Sequence, residues 1–421
     1  MKVFWITNIP IGRIAVELFN KPMGGLWMDA MLVQLKKTGK VDFAIATTTP
    51  TKETIKKEYD GINYYLLPGG HAVYYKRPES EAMTEWKSIF EKEKPDVLQI
   101  WGTEYSHAVP ALKIAKEMGI PSVVYIQGVM SAIEKYADGL VKTSTRLRYI
   151  TLRDIYRNQL WLNQNGWFKK RARVEKQILA LSGNIVVENN WAEWMCKAVN
   201  PSLGVFKIPL NINEVFFEKK WDVNTMEPHT IICNASGTAY KGLHVLLDAL
   251  VLIKKEFPDV KLFVPGGSCI VEGIKERQSK PGYWSFITDK IKKLHLGENV
   301  IFTGYQTPSQ LAERLSKANV FVLCSSVENH SSSLKEAMAI GVPSVASQVG
   351  GVMEYTENGV NGYSYRYGEY ECLAGYIQML FEDKEKCFLL SNSARNKSRE
   401  CSNDDINNLI LSMYETLSKN Q

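Results

Sequence analysis

The sequence predicts an α/β protein: two Rossmann-like, doubly wound parallel-sheet domains facing a cleft. Three observations lead there. The chain has 421 residues, more than one hydrophobic core comfortably serves. Short β-branched apolar runs alternate with longer helical patterns, the mark of strand–helix–strand units and parallel sheets. The runs also fall into two sets, separated near "FKIPLNIN" (Phe206 to Asn213).

In the first set, "KVFWIT", "DFAIATT", "DVLQIW", "SVVYIQG" and "NIVVEN" read as strands. In the second, "TIICNAS", "KLFVPGG", "NVIFTG", "VFVLCSS" and "PSVAS" do. Stretches such as "HAVPALKIAKEMG" and "LHVLLDALVLIKKEFP" carry helical periodicity between them. The expected domains are 1–205 and 206–400, with 401–421 a C-terminal helix that crosses back to the first. Ligands in such sheets collect outside the carboxyl ends of the strands, so the expected site is the cleft.

Composition narrows the function. Apolar residues make up 45% and charged residues 23%, as in ordinary globular proteins. No apolar run approaches the roughly 18 residues of a membrane span. The opening "MKVFWITNIPIGR" is too short in apolar length for a secretory signal and reads as a buried strand. Seven scattered cysteines form no C-x-x-C, which predicts reduced thiols and a cytoplasmic location. Neither cysteines nor histidines have metal-ligand spacing, and no D-x-D occurs. Neither G-x-G-x-x-G nor G-x-x-x-x-G-K-[ST] is present, which argues against dinucleotide oxidoreductases and P-loop enzymes. The net charge of +6 is uneven: residues 1–210 hold 29 Lys and Arg against 20 Asp and Glu. That half is the candidate for an anionic partner.

The stretch "CSSVENHSSSLKEAMAIGVPSVASQVGG" (Cys324 to Gly351) carries the most chemistry. "VFVLCSS" is a buried strand, "SVENHSSS" the loop at its carboxyl end, and "SLKEAMAI" a short helix. Gly341 suits the helix C′ position and Pro343 stops continuation. The helix N-terminus would offer the amides of Ser331, Ser332 and Ser333 to an anion, a dipole effect of roughly 0.3–1 kcal/mol. Glu328 before the helix and Glu336 in its second turn are acceptors for sugar hydroxyls. The residues alone leave a plainer reading open, in which the serines only cap the helix.

The whole string resembles the E-x7-E signature of the family 4 retaining glycosyltransferases, which have the GT-B fold. Its "E-A-M-A-x-G-x-P" core is the specific part, and "S-S-V-E-N" with "S-L-x-E-A-M" is similar to the branch that builds bacterial capsular and exopolysaccharides. "GTAYKGLHVLLDAL" resembles the family's K-G helix start, with Lys241 meeting the donor diphosphate. "FKIPLNINEVFF" resembles its interdomain segment, and "KPMGG" (Lys21 to Gly25) its glycine-rich loop near the phosphates.

The resemblance implies a hexosyltransferase-type enzyme. It would move a sugar, with retention at the anomeric carbon, from a nucleotide-diphosphate donor to a saccharide acceptor. UDP is the default carrier and a lipid-linked acceptor the expectation. Glu328 and Lys241 would be catalytic. Gly24, Gly25, Ser236, Gly237, Lys241, Glu328, His330, Ser331, Ser332, Ser333 and Glu336 would bind the donor, with Glu336 on the ribose. Glu104, His107 and Gln127 would lie on the acceptor side. No metal and no organic cofactor is implied. Two positions depart from the pattern. Ser236 stands where the family usually has arginine, a contact worth about 1.5–3 kcal/mol. Gln127-Gly128 stands where it has His-Gly. The departures keep a rival reading open, a nucleotide-sugar-binding protein without transferase activity. A GT-B phosphorylase or epimerase is a third.

From Lys142 to Lys176 ten Lys and Arg meet only Asp154 and Glu175, interleaved with Tyr149, Tyr156, Trp161, Trp167 and Phe168. Basic plus aromatic composition predicts a peripheral membrane surface, on the inner face of the plasma membrane. A solvated helix pair with its aromatics in the core is the alternative. No recognition motif supports nucleic acid.

Overall fold

The computed structural model describes residues 1–19, 26–69, 77–157, 164–235 and 237–419. The chain divides into two compact units. Met1–Ser131, Lys169–Asn211 and Cys401–Gln421 form the first, Ala132–Phe168 and Ile212–Glu400 the second.

The first unit is built on strands β1 (Lys2–Thr7), β2 (Asp42–Thr49), β3 (Ile55–Tyr59), β4 (Ile62–Pro68), β5 (Val97–Trp101), β6 (Ser122–Tyr125), β7 (Asn184–Val187) and β8 (Gly204–Lys207). Their order is β3-β4-β2-β1-β5-β6-β7-β8. Every pairing is parallel except the β3–β4 hairpin. Val3, Phe4, Trp5 and Ile6 of β1 are all buried, so this strand is covered on both faces. That is why its sequence is a continuous apolar run and not an alternation.

The C-terminal helix Asn403–Lys419 packs into the same core through Ile406, Ile410, Leu411, Tyr414 and Leu417. Trp5 Nε1 donates to Tyr414 Oη at 3.1 Å, and that hydroxyl donates to Gln99 Oε1 at 2.5 Å. The helix thus buries both apolar area and a satisfied polar chain. Each large side chain contributes about 1.5–3 kcal/mol.

The second unit holds β9 (Thr230–Cys233), β10 (Lys261–Pro265), β11 (Val300–Gly304), β12 (Val320–Leu323), β13 (Ser344–Ser347) and β14 (Tyr363–Tyr365), ordered β11-β10-β9-β12-β13-β14 and parallel throughout. In the helix Leu243–Glu256, residues Leu243, Leu246, Leu247, Leu250 and Ile253 recur at helical spacing and form one face of its core. No described helix is long and apolar enough to cross a membrane.

The change of unit at Asn211–Ile212 lies inside the Phe206–Asn213 stretch, a few residues past the expected boundary after 205. The larger difference is residues 132–168, expected in the first domain and found with the second unit. Polar anchors hold them there. The carbonyl of Gly139 accepts from Tyr367 Oη at 2.8 Å and from His244 Nε2 at 3.0 Å. Ser326 Oγ donates to the Tyr136 carbonyl at 2.9 Å. Burial pulls the His244 pKa down to about 4, so its ring is neutral at physiological pH.

Candidate functional site

In the second sheet the chain leaves β9 toward β10 on one side and returns to β12 on the other. The carboxyl ends of β9 and β12 therefore form the switch point where open α/β sheets place their ligands.

Two loops meet there. After β9 the backbone makes a tight turn at Ala239–Lys241, then Gly242 at φ +76° opens the helix Leu243–Glu256. A Cβ on Gly242 would lie 1.7 Å from the Cys324 carbonyl oxygen, so only glycine allows the loops to touch. The Ser326 N–H donates to the Tyr240 carbonyl at 2.7 Å, and Cys324 Sγ to the Lys241 carbonyl at 3.3 Å. This stitching sets Lys241 Nζ 2.6 Å from Glu328 Oε1, and Ser325 Oγ donates to the same oxygen at 2.6 Å. Burial works to lower the Lys241 pKa. The Glu328 carboxylate, with Tyr240 beside it, outweighs burial and holds the ammonium above its ordinary value.

The glycine pair closing the motif serves the same loop. Gly350 has φ +52°, and a Cβ there would fall 1.7 Å from the Glu328 carbonyl oxygen. Gly350→Ala is expected to displace Glu328, with a stability loss of about 1–3 kcal/mol. The lowered melting temperature should come with a larger fractional loss of any activity that uses Glu328.

The helix Ser332–Ile340 follows, ended by Gly341 at φ +93°. Ser331 is its N-cap: the hydroxyl accepts from the Leu334 N–H at 3.3 Å and lies 3.1 Å from Ser333 Oγ. Its own N–H donates to Tyr355 Oη at 3.1 Å, so the first of the three amides expected to face an anion is engaged. The amides of Ser332 and Ser333 have no partner among the described residues and point out of the helix N-terminus. Ser331 therefore caps the helix, and the next two amides stay open. Glu336 sits in the second turn and makes no hydrogen bond or ion pair among the described residues. Burial pushes its carboxyl up to about 8.

Two other donor-side candidates have local roles. The His330 ring stacks on Tyr355 at 4.5 Å and 7°. Gly237, at φ +93°, donates its N–H to Cys269 Sγ at 3.2 Å and accepts from Trp284 Nε1 at 3.1 Å. Gly24, Gly25 and Ser236 lie outside the described residues.

The acceptor-side candidates belong to the first unit, at its own switch point between β1 and β5. Gly102 sits at φ +83°, and a Cβ there would push on the side-chain ends Glu104 Oε2 and Asn8 Nδ2, 2.5 and 2.6 Å away. Glu104 accepts from the Thr103 N–H at 3.0 Å. Burial raises its pKa, against the lowering pull of its backbone hydrogen bonds and Arg171. Arg171 lies over the Tyr105 ring at 4.9 Å and donates to its hydroxyl at 2.8 Å. His107 is buried at the start of the helix Ala108–Glu117, and Gln127 Nε2 lies 3.9 Å from Met28 Sδ.

Sequence reasoning missed Glu175, counting it only as an acid within a basic stretch. Its buried carboxylate accepts from Thr103 Oγ1 at 3.0 Å and from the N–H groups of Met130 and Ser131 at 2.8 and 3.0 Å. It ties together the loops after β5 and β6 that carry Glu104 and Gln127. The signal was its position, three and four residues before the buried Ile178 and Leu179 on one helix face.

Among the described residues no three His, Cys, Asp or Glu side chains gather as a metal site.

Residues 216–397, within the second unit, match the family of glycosyl transferases group 1. Over 131 residues, 31% of this chain, the sequence is 32% identical to N-acetyl-alpha-D-glucosaminyl L-malate synthase of Bacillus anthracis. That match spans only about a third, 33%, of the relative's own length. Similar solved structures include sucrose-phosphate synthase from Thermosynechococcus elongatus, with TM-score 0.71, 16% identity and full coverage of both chains, each 100%. Anabaena HepE in complex with UDP-glucose gives TM-score 0.66 and 16% identity, again over 100% of both chains. The fold is GT-B.

Proposed function

We propose that this chain is a retaining, metal-independent glycosyltransferase. It moves a hexosyl group from a nucleotide-diphosphate donor to a lipid-linked saccharide in bacterial surface polysaccharide synthesis, at the cytoplasmic face of the membrane. The observation that carries the reading is the Lys241–Glu328 pair, set at the β9/β12 switch point beside a helix N-terminus with open amides.

Its chemistry follows from charge. As the glycosidic bond to the diphosphate breaks, negative charge grows on the leaving phosphate oxygen and positive charge on the sugar ring. Lys241 and the amides of Ser332 and Ser333 stabilise the first, and that stabilisation is the main catalytic task. Glu328 steadies the second. The acceptor hydroxyl arrives on the face the diphosphate leaves and passes its proton to the departing phosphate oxygen as its own oxygen bonds to the anomeric carbon, which retains the configuration. Glu336 accepts from the ribose hydroxyls. The complex of HepE with UDP-glucose supports UDP as the first carrier to try.

The test is product analysis. The enzyme is given UDP-sugars and saccharide acceptors with a chelator present, and the product's anomeric configuration is read by NMR. Retained configuration and undiminished turnover in chelator are expected. Inverted product, or nucleotide binding without turnover, overturns the reading, the latter in favour of a binding protein.

A further inference from the structure

The helices Thr143–Arg148 and Leu152–Tyr156 are inside out. The first has no buried residue, and the only buried residue of the second is an aspartate. Asp154 completes a capping box with Thr151 and accepts from the Gly282 N–H at 2.9 Å. Thr151 Oγ1 donates to the Lys280 carbonyl and the Leu152 N–H to Gln278 Oε1, both at 2.9 Å. A Cβ on Gly282 would lie 2.0 Å from the Tyr149 carbonyl oxygen, so the segment is seated tightly on its own unit. Polar groups do the seating, and the apolar side chains face outward: Leu147 is 54% exposed, Leu152 65%, Ile155 59% and Tyr156 90%. An apolar face left outward on a polar seat marks an interaction surface.

Charge says what covers it. Lys142, Arg148 and Arg157 are exposed among these side chains and make no ion pair among the described residues. Of the acids nearest these helices, Asp154 is engaged as described and Asp138 pairs with Arg146 at 3.2 Å. Arg148 lies over the Tyr149 ring at 5.9 Å. Exposed leucine, isoleucine and tyrosine ringed by cations that hold no carboxylate match a bilayer interface bearing anionic headgroups.

We infer that the surface formed by Leu147, Leu152, Ile155 and Tyr156, with Lys142, Arg148 and Arg157, docks on an anionic lipid bilayer. It is narrower than the basic–aromatic stretch suggested. Tyr149 packs on Phe286 at 5.6 Å, and Phe168 is buried against Tyr240 at 6.1 Å. Lys169 to Lys176 belong to the other unit, where Ala172, Val174 and Glu175 are buried. The inference does not rest on the transferase reading.

The experiment is co-sedimentation of the full chain, without nucleotide, with phosphatidylcholine vesicles lacking or containing phosphatidylglycerol. Binding is expected to need phosphatidylglycerol and to weaken with salt. It should fall roughly ten-fold or more in L152S/I155S/Y156S, and separately in K142E/R148E/R157E. All six sites are exposed, so circular dichroism and melting temperature should not change, and a lowered melting temperature would discount that variant. In that case the salt and lipid dependence of the unaltered protein decides. Equal binding to both vesicle types, or variants that sediment like the parent, overturns the inference. So does loss of self-association, or of RNA binding, in place of vesicle binding. Failure of sugar transfer in a protein that still binds vesicles would count against the enzyme reading alone.

Discussion

Replacing Glu328 with glutamine should lower the transfer rate by about 10²–10³-fold while UDP affinity holds or rises. The two effects separate because Glu328 has two neighbours of different kinds. Toward the sugar, the proposed role is to offset the positive charge of the breaking glycosidic bond, an effect of about 2.7–4 kcal/mol for one well-placed group. Toward the protein, it holds Lys241 at 2.6 Å. A bound diphosphate competes with Glu328 for that ammonium, so a neutral side chain at 328 leaves Lys241 more available. Glutamine keeps the volume and the acceptor for Ser325 Oγ, so the loop is maintained. Single-turnover rates and calorimetry with UDP check both halves. If rate and affinity fell together, Glu328 would be acting only through the loop.

The second large effect is a pH dependence centred on Glu336. Burial raises its carboxyl to about 8, so it is mostly protonated in the free protein at pH 7. Ribose hydroxyls donate, and they favour the ionised form. Nucleotide binding at pH 7 should therefore release close to one proton, read from calorimetry in buffers of different ionisation enthalpy. Stability carries the same signature. The folded pKa lies above the ordinary 4.5, so the neutral form's contribution is complete below 4.5 and is lost as pH climbs through about 8. Glu336→Gln has no such loss, and above pH 8 it should be more stable than the parent by roughly 3–6 kcal/mol. Parallel stability profiles, or binding without proton release, would remove Glu336 from this role.

The strands were legible because burial on both faces writes itself as continuous apolar runs. "KVFWIT" became β1 unchanged, and the first four residues of "VFVLCSS" became β12. The β3–β4 hairpin was missed although Asp60-Gly61, both at positive φ, is a strong turn signal. Its first strand, "IKKEY", is an exposed edge and has no apolar run to find. The helix around Glu336 was legible from its glycine and proline stop signals. What joins distant segments was not. The carbonyl of Gly139 meets His244 and Tyr367, and the Ser331 amide meets Tyr355, through contacts that no local period records. Glu175 shows the same limit: charge count placed it on a basic surface, while three hydrogen bonds put it in the core.

The central claim is that Lys241 and the open amides of the Ser332–Ile340 helix grip a diphosphate. Calorimetry of UDP and of uridine on the parent protein and on Lys241→Met tests it most directly. A charge-assisted contact of about 1.5–3 kcal/mol predicts a 10- to 100-fold weaker UDP affinity in the variant, with uridine affinity unchanged. Equal UDP affinity in both proteins, or a matching loss for uridine, would contradict it.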